Sequence, residues 1–526
     1  MGILTCAAIF SDNMVLQRNK PVKVWGHAYR NDVIEVEIAG VKASAVAVRN
    51  SWVLTLPPMK EATGLTMTVK KQGHPEDTIT FKNVAVGEVW LCGGQSNMEY
   101  ELQNAKDGAK YIAEAPEKAK EQGKDIRFYY TKKYAVNDEF FYIDERANAW
   151  HPIGESMENW SAVGFHFAWE IAETVGCTVG FIGCSWGGTS ICNWISVDNH
   201  KRSASGNFYL DEYNGVMAAK TYDEYLAEVE AENSWFDDWQ PKIAEFYSIH
   251  YPEHPPFSEA EEYAGEKGHY PGPMGPFSFL RPGGLYETML SRVAPYTLTG
   301  FIYYQGETDD SKPTHYYEMM KLLVDCWRET WDDGDLPFIF TQLPMWLPLG
   351  GEDIKNWARV RAGQMKAYKF IKNTGLAIIT DCGEYDNLHP LDKLPVGHRL
   401  ALQAKYLVYG AISASEANAP QLLYTRPIDH GIELYFKYAD EGFDILDKPN
   451  GPNVKHTPTY TFELATANGK FIEPTEVILE NGKVTLINPA IKTSAMYARY
   501  NFANFCEVPL FGKNGLPLAP FNTFEE

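Results

Sequence analysis

Along the first ninety residues apolar side chains alternate with polar ones at a period of two. Val22-Lys23-Val24-Trp25 and Val33-Ile34-Glu35-Val36-Glu37-Ile38 show the pattern, with Gly26, Asn31-Asp32 and Asn50-Ser51 as punctuation. This rhythm predicts short, half-buried strands joined by turns. Residues 1–86 are expected to form a small β-sandwich-like domain. From Gly87 the texture changes. Glu88-Val89-Trp90-Leu91-Cys92, Ile126 to Tyr130, Val179-Gly180-Phe181-Ile182, Phe301-Ile302-Tyr303-Tyr304, Phe338-Ile339-Phe340 and Leu376-Ala377-Ile378-Ile379-Thr380 are nearly continuous apolar runs. Between them apolar residues recur at helical spacing, as in Val163, Phe167, Ala168, Ile171, Ala172 and Val175, and around Trp357 to Arg361. Apolar strands alternating with helices predict an α/β domain whose parallel sheet is covered on both faces. That domain is placed at 87–418. Residues 198–280 interrupt it with a Glu-, Tyr- and Pro-rich stretch that ends in Tyr251-Pro252-Glu253-His254-Pro255-Pro256. We read this as an insertion of one or two helices and an irregular tail, of the kind that often caps a site. Residues 419–526 return to β patterns, as in Gly431-Ile432-Glu433-Leu434-Tyr435-Phe436.

Composition narrows the function classes. Hydrophobic residues make up 45% and charged residues 22%, so the chain is no disordered polymer. The 14% aromatic content suits sandwich cores and sugar-stacking clefts. With 47 Lys+Arg against 69 Asp+Glu the net charge is −22, which phosphate backbones and anionic lipids repel. Neither nucleic acid nor a membrane is an expected partner. The longest uncharged stretch, Thr174 to Val197, contains five glycines and reads as a strand and a loop, not a span. Eight cysteines contain no CxxC pair and fit neither a zinc site nor a disulfide framework, so reduced thiols and no metal are expected. The first residues, Met1-Gly2-Ile3-Leu4-Thr5-Cys6, carry no basic region ahead of their short apolar run. A cytoplasmic location is therefore expected, although a secreted protein trimmed of its leader would read the same.

Ligands of an open parallel sheet bind at the carboxyl ends of its strands. Four predicted strands end in chemistry. Gly93-Gly94-Gln95-Ser96-Asn97-Met98 follows the first and Gly183-Cys184-Ser185-Trp186-Gly187-Gly188-Thr189 another. Gln305-Gly306-Glu307 and Asp381-Cys382-Gly383-Glu384-Tyr385-Asp386-Asn387-Leu388-His389-Pro390 follow two more. A serine in a glycine turn, backbone N–H donors, an amide side chain and an acid–histidine segment are the parts of a serine esterase. Gly183-Cys184-Ser185-Trp186-Gly187 also matches the G-x-S-x-G elbow, which makes Ser185 the rival nucleophile. That elbow should run straight into a helix, and Gly188-Thr189-Ser190 is a poor helix start.

The block Trp90-Leu91-Cys92-Gly93-Gly94-Gln95-Ser96-Asn97-Met98-Glu99 resembles the first block of SGNH hydrolases of the sialate O-acetylesterase type. The likeness continues in Gly183 to Thr189, in Tyr304-Gln305-Gly306-Glu307, and in His389-Pro390 with Gly397-His398-Arg399-Leu400-Ala401 downstream. It reaches Phe10 to Gln17 at one end and Asn514 to Phe521 at the other. This resemblance implies a flavodoxin-like SGNH domain that removes acetyl groups from sugars without metal or cofactor. It implies Ser96 as nucleophile and His389 as general base and later acid. The implied oxyanion hole uses the Ser96 N–H, a Gly188 (or Gly187) N–H, and the Gln305 side chain. Asp386, three residues before His389, fits the D-x-x-H block and is the expected orienting acid. Asp381, Glu384 and Glu307 are its alternatives, and a Ser–His dyad is another.

The expected function is hydrolysis of O-acetyl esters on sialosides or, alternatively, on xylan-type and other hemicellulose oligosaccharides. A more distant reading is a carbohydrate-binding protein with a dead hydrolase core. The presence of both Ser96 and His389 speaks against it.

Overall fold

A computed structural model describes residues 4–250, 255, 257–265, 272–445 and 460–525 of the chain. Two compact units emerge: residues 1–202 with 282–304 and 322–339, and residues 203–281 with 305–321 and 340–526.

The first unit is organised by one strand, β1 (His74–Gly94), of 21 residues. Its first half pairs antiparallel with Ala62–Lys71, which pairs with Val33–Ile38. Val15–Gln17 lies parallel to Ala85–Gly87, and Thr5–Cys6, Val22–His27 and Ser51–Leu56 form a separate three-stranded sheet. From Val84 to Gly94 every residue of β1 is buried. The change of texture near residue 86 thus occurs inside one continuous strand.

The second half of β1 lies between β4 (Val179–Ser185) and β5 (Gly300–Tyr304), both parallel to it. Beyond β4 come β2 (Ile126–Tyr130), also parallel, and the short antiparallel edge strand β3 (Trp150–Pro152). In this unit the order is β3-β2-β4-β1-β5, followed by the start of β6 (Phe338–Gln342). Strands 2 and 4 lie to one side of β1 and strand 5 to the other. The carboxyl end of β1 is therefore a switch point, where connections diverge and leave a crevice. Helix α1 (Ser96–Glu99) starts there. Helix α2 (Ala162–Val175) is capped by Ser161, whose Oγ accepts the Gly164 N–H at 3.0 Å, and it ends at Gly176 in the left-handed region. A Cβ at Gly164 would stand 2.8 Å from the Phe181 ring, so the glycine sets how closely α2 approaches β4.

In the second unit the remainder of β6 neighbours β7 (Thr374–Ile378). The helical pattern around Trp357 becomes Asn356–Phe370, and a further helix spans Leu394–Leu407. Among its described residues the insertion shows α3 (Ala204–Ala219), α4 (Tyr222–His250) and α5 (Phe257–Ala264), where one or two helices are expected. Of the proline-rich tail, Tyr251 to His254 and Pro256 lie outside the described residues. The C-terminal part carries two four-stranded sheets. Ile432, Leu434 and Val484 of one share a buried cluster with Phe462, Tyr500 and Phe521 of the other. No helix among the described residues is long and apolar enough to cross a membrane. All eight cysteines are free thiols.

Candidate active site

The Ser96 segment lies in the first unit. Strand β1 ends at Gly94 with φ 136, where a Cβ would stand 2.0 Å from the Tyr304 carbonyl oxygen. Only glycine can hold that close approach. The Gln95 N–H then donates to Tyr304 O at 3.1 Å, and the Trp186 N–H donates to Gly94 O at 3.2 Å. These bonds tie the turn to both neighbouring strands and fix the point from which α1 departs. Ser96 is its first residue and is half-buried. Met98 and Glu99 donate back to the Gln95 carbonyl at 2.9 Å, and Ser161 Oγ donates to the Met98 carbonyl at 2.6 Å. The serine backbone is thereby held from both sides.

Strand β4 ends at Ser185, followed by a turn through Gly187 and Gly188. Gly187 packs against the serine: a Cβ on it would stand 3.1 Å from Ser96 Cβ. Glu99 reaches across. Its Oε2 accepts the Gly187 N–H at 2.7 Å, and its Oε1 accepts from Lys133 Nζ at 2.5 Å. The Gly187 N–H is therefore engaged, which leaves Gly188, at φ 71, as the turn's candidate oxyanion donor. Ser185 is 2% exposed, laddered opposite Gly94, and the chain beyond it forms a 3₁₀ turn at Ile191–Trp194 rather than a helix. It has neither the exposure nor the context of a nucleophile elbow. Beside Glu99 opens a cavity of about 350 Å³ lined by Tyr130, Lys132, Lys133, His151 and Asn159 among others.

The Gln305, acid and histidine segments lie in the second unit. Gln305 is 1% exposed. Its Nε2 donates to Asp309 Oδ2 at 2.5 Å, its Oε1 accepts from Tyr316 Oη at 3.2 Å, and its carbonyl accepts from Tyr316 Oη and Gln364 Nε2. Burial pushes the Tyr316 phenol well above its ordinary range, so it stays a donor. His389 is half-buried on a loop whose turn is closed by its own N–H donating to Asn387 Oδ1 at 3.1 Å.

The four candidate acids differ in what holds them. Asp381 forms a two-pronged pair with Arg399, at 2.5 and 2.7 Å. Glu384 accepts from Asn387 Nδ2 at 2.6 Å and from the Leu391 N–H at 3.1 Å, so it staples the loop. Glu307 is buried and its charge opposes the burial that pushes the Lys393 ammonium down to about 7. Asp386 sits in the left-handed region at φ 59, with Oδ1 accepting the Leu349 N–H at 2.7 Å and its own N–H donating to Leu347 O at 3.1 Å. Among the described residues one group could hold a metal ion, the exposed His74 and Glu76 with the half-buried Asp77, at the far end of β1 from Ser96.

Sequence reasoning missed Glu99, Asp309, Tyr209, Tyr316 and Gln364. Asp309 stands four residues after Gln305, within reach in a helical turn, which is the one local signal available.

Comparison with known proteins adds identity to this geometry. A family model described as "carbohydrate esterase, sialic acid-specific acetylesterase" matches residues 86–231 and 276–404, more than half of the 526 residues. The chain belongs to this family. This esterase acts on carbohydrate acetyl groups, as the family does. It is 24% identical over 570 residues to human sialate O-acetylesterase, covering 98% of this chain and 92% of the relative. To the mouse sialate O-acetylesterase it is 23% identical over 500 residues, covering 88% and 82%. Its fold matches the crystal structure of a carbohydrate acetylesterase from Xanthomonas citri at a TM-score of 0.73, with 23% identity and 99% of each chain covered.

Proposed function

We propose that this esterase hydrolyses O-acetyl esters of sialosides through an acetyl-Ser96 intermediate on an SGNH-type, flavodoxin-like core. The observation that carries the mechanism is the position of Ser96. It opens a helix at the carboxyl end of the central strand, wedged against a glycine turn. Ser96 Oγ attacks the acetyl carbonyl carbon while His389 takes the hydroxyl proton. The oxyanion that forms accepts from the Ser96 and Gly188 N–H groups and the Gln305 amide. Collapse breaks the ester C–O bond, and His389 returns the proton to the departing sugar oxygen. Water then attacks acetyl-Ser96 with His389 again as base, and acetate leaves. Each donor aimed at the oxyanion is worth ~10²–10³ in kcat. Asp386 orients His389 and stabilises its imidazolium.

Two observations favour sialosides. The curated relatives carry that activity in their names. In addition, Lys132 lines the cavity that Glu99, Glu101 and the Glu99-paired Lys133 also line, and a cation there can meet a sugar carboxylate despite the net charge of −22. Acetate release from O-acetylated sialosides and from acetylated xylo- and manno-oligosaccharides tests the reading. Sialosides should lead in kcat/KM by ~tenfold or more, about 1.4 kcal/mol of differential transition-state binding. A preference for the neutral oligosaccharides would move the substrate to hemicellulose. No acetate release from any acetylated saccharide would refute the activity.

A further inference from the structure

Gln305 can serve an oxyanion only if its amide presents nitrogen and not oxygen. An amide side chain is free to rotate by half a turn, and the two orientations have opposite chemistry. The surroundings of Gln305 distinguish them. Asp309 is 1% exposed, and an ionised carboxylate only accepts. With Nε2 towards Asp309 the contact at 2.5 Å is a hydrogen bond to a carboxyl oxygen. With Oε1 there it would be two acceptors in collision. Tyr316 Oη, 3.0 Å from the Gln305 carbonyl and 3.2 Å from Oε1, can share its one hydrogen with Oε1 in this orientation.

The carboxylate itself is fixed from the insertion. Tyr209 of α3, 5% exposed, donates its Oη to Asp309 Oδ1 at 3.0 Å. Other contacts clamp that end of α3 to residues 305–321. His315 stacks on Phe208 with ring centroids 4.3 Å apart and an interplanar angle of 17°, and its Nδ1 lies 3.0 Å from Ser205 Oγ. The Ser205 N–H donates to Glu318 Oε2 at 3.3 Å. Lys312 lies 4.9 Å from the centre of the Tyr209 ring and bonds Glu212.

We propose that Tyr209 and Asp309 are positioning residues of this esterase, a relay from the insertion that holds the Gln305 amide nitrogen towards the reacting oxygen. The inference rests on the reading of Gln305 as an oxyanion donor. One Nε2 hydrogen meets Asp309, and the oxyanion reading assigns the second to the substrate. The insertion then has a catalytic consequence through α3 without touching substrate there.

A double-mutant cycle with thermal melts tests the relay, with 4-nitrophenyl acetate and an acetylated saccharide as substrates. Gln305→Ala should lower kcat by ~10²–10³-fold. Asp309→Asn, near-isosteric but able to face Gln305 with its own NH₂, should lower kcat by ~10–100-fold with KM within about twofold. Tyr209→Phe, the mildest change, should cost ~3–10-fold on the same reasoning, because Asp309 keeps its place but loses one donor. The decisive variant is Gln305→Ala/Asp309→Asn. Its kcat should equal that of Gln305→Ala alone, because groups acting as one unit are not additive. If Asp309→Asn costs the same factor in both backgrounds, or if Asp309→Asn and Tyr209→Phe both retain full kcat, the relay is wrong while the oxyanion reading stands. If Gln305→Ala itself retains full kcat, the oxyanion reading falls and takes the relay with it. Should Asp309→Asn fail to fold, Tyr209→Phe with and without Gln305→Ala carries the same cycle.

Discussion

Asp386→Asn separates chemistry from structure at the acid of the proposed triad. The backbone at Asp386 has φ 59, a region that asparagine tolerates better than almost any other side chain. An asparagine Oδ1 can also keep the bond that Asp386 accepts from the Leu349 N–H at 2.7 Å. Loop and fold should survive, with stability within ~0.5 kcal/mol of the parent. What changes is the second carboxylate oxygen, which becomes an NH₂ and can no longer play the acceptor role that the proposed triad gives it towards the His389 ring. The wrong tautomer is then favoured, and kcat should fall by up to ~10⁴-fold, about 5.5 kcal/mol of transition-state stabilisation. Asp386→Ala is the contrasting variant. It loses a hydrogen bond to a charged group, ~1.5–3 kcal/mol, and adds ~1–2 kcal/mol of left-handed strain, so it should be less stable as well as inactive. Initial rates with 4-nitrophenyl acetate and urea unfolding of both variants give the comparison. A drop below about tenfold for Asp386→Asn at unchanged stability would refute the reasoning. Since Asp381 is held by Arg399 and Glu384 by its own loop, Glu307 would then be the acid to test.

Three further outcomes are expected. Gly187→Ala puts a methyl 3.1 Å from Ser96 Cβ, so kcat should fall ~tenfold with little change in melting temperature, and an unchanged kcat would mean that the serine gives way without consequence. Asp381→Asn should cost ~3 kcal/mol or more in urea unfolding, because the Arg399 side chain is only 9% exposed. The folded variant should stay within about threefold of parental kcat, and a collapse of kcat at intact stability would put Asp381 in the site. Lys393 concerns pH. Burial pushes its ammonium down to about 7, with Glu307 and Glu384 pulling the other way. Between that value and ~10.4 the unfolded chain binds the proton and the folded one does not, so stability rises with pH across this window by up to ~1.4 kcal/mol per unit. Lys393→Met should lose that rise, and parallel stability curves for parent and variant from pH 7 to 9 would contradict it.

The legible parts of the sequence are those whose burial follows a simple period. The alternation in Val33–Ile38 reappears as alternating burial, and the apolar runs at 88–92, 179–182 and 301–304 become strand segments in which every residue is buried. The helix α4 was harder to read, since Tyr225, Trp239 and Phe246 are its buried residues in 29 and Pro241 lies inside it. So short an apolar stripe barely registers in a sequence. At the site, the glycines announce themselves through the backbone they permit, as Gly94 does at φ 136. Glu99 and Asp309 do not, because their partners Gly187 and Tyr209 lie 88 and 100 residues away. Ser185 satisfied a motif whose meaning depends on exposure and a following helix, neither of which five residues encode.

The central claim is that Ser96 is the nucleophile, and covalent labelling tests it most directly. Treatment with a fluorophosphonate, followed by peptide mass spectrometry, should place one phosphonyl group on the Ser96 peptide, in proportion to lost activity. Ser185 should carry none. Ser96→Ala should take up no label and lose at least ~10³-fold in kcat. A label on Ser185 or on another residue with Ser96 unmodified, or an Ser96→Ala variant that keeps most of its activity, would contradict the account.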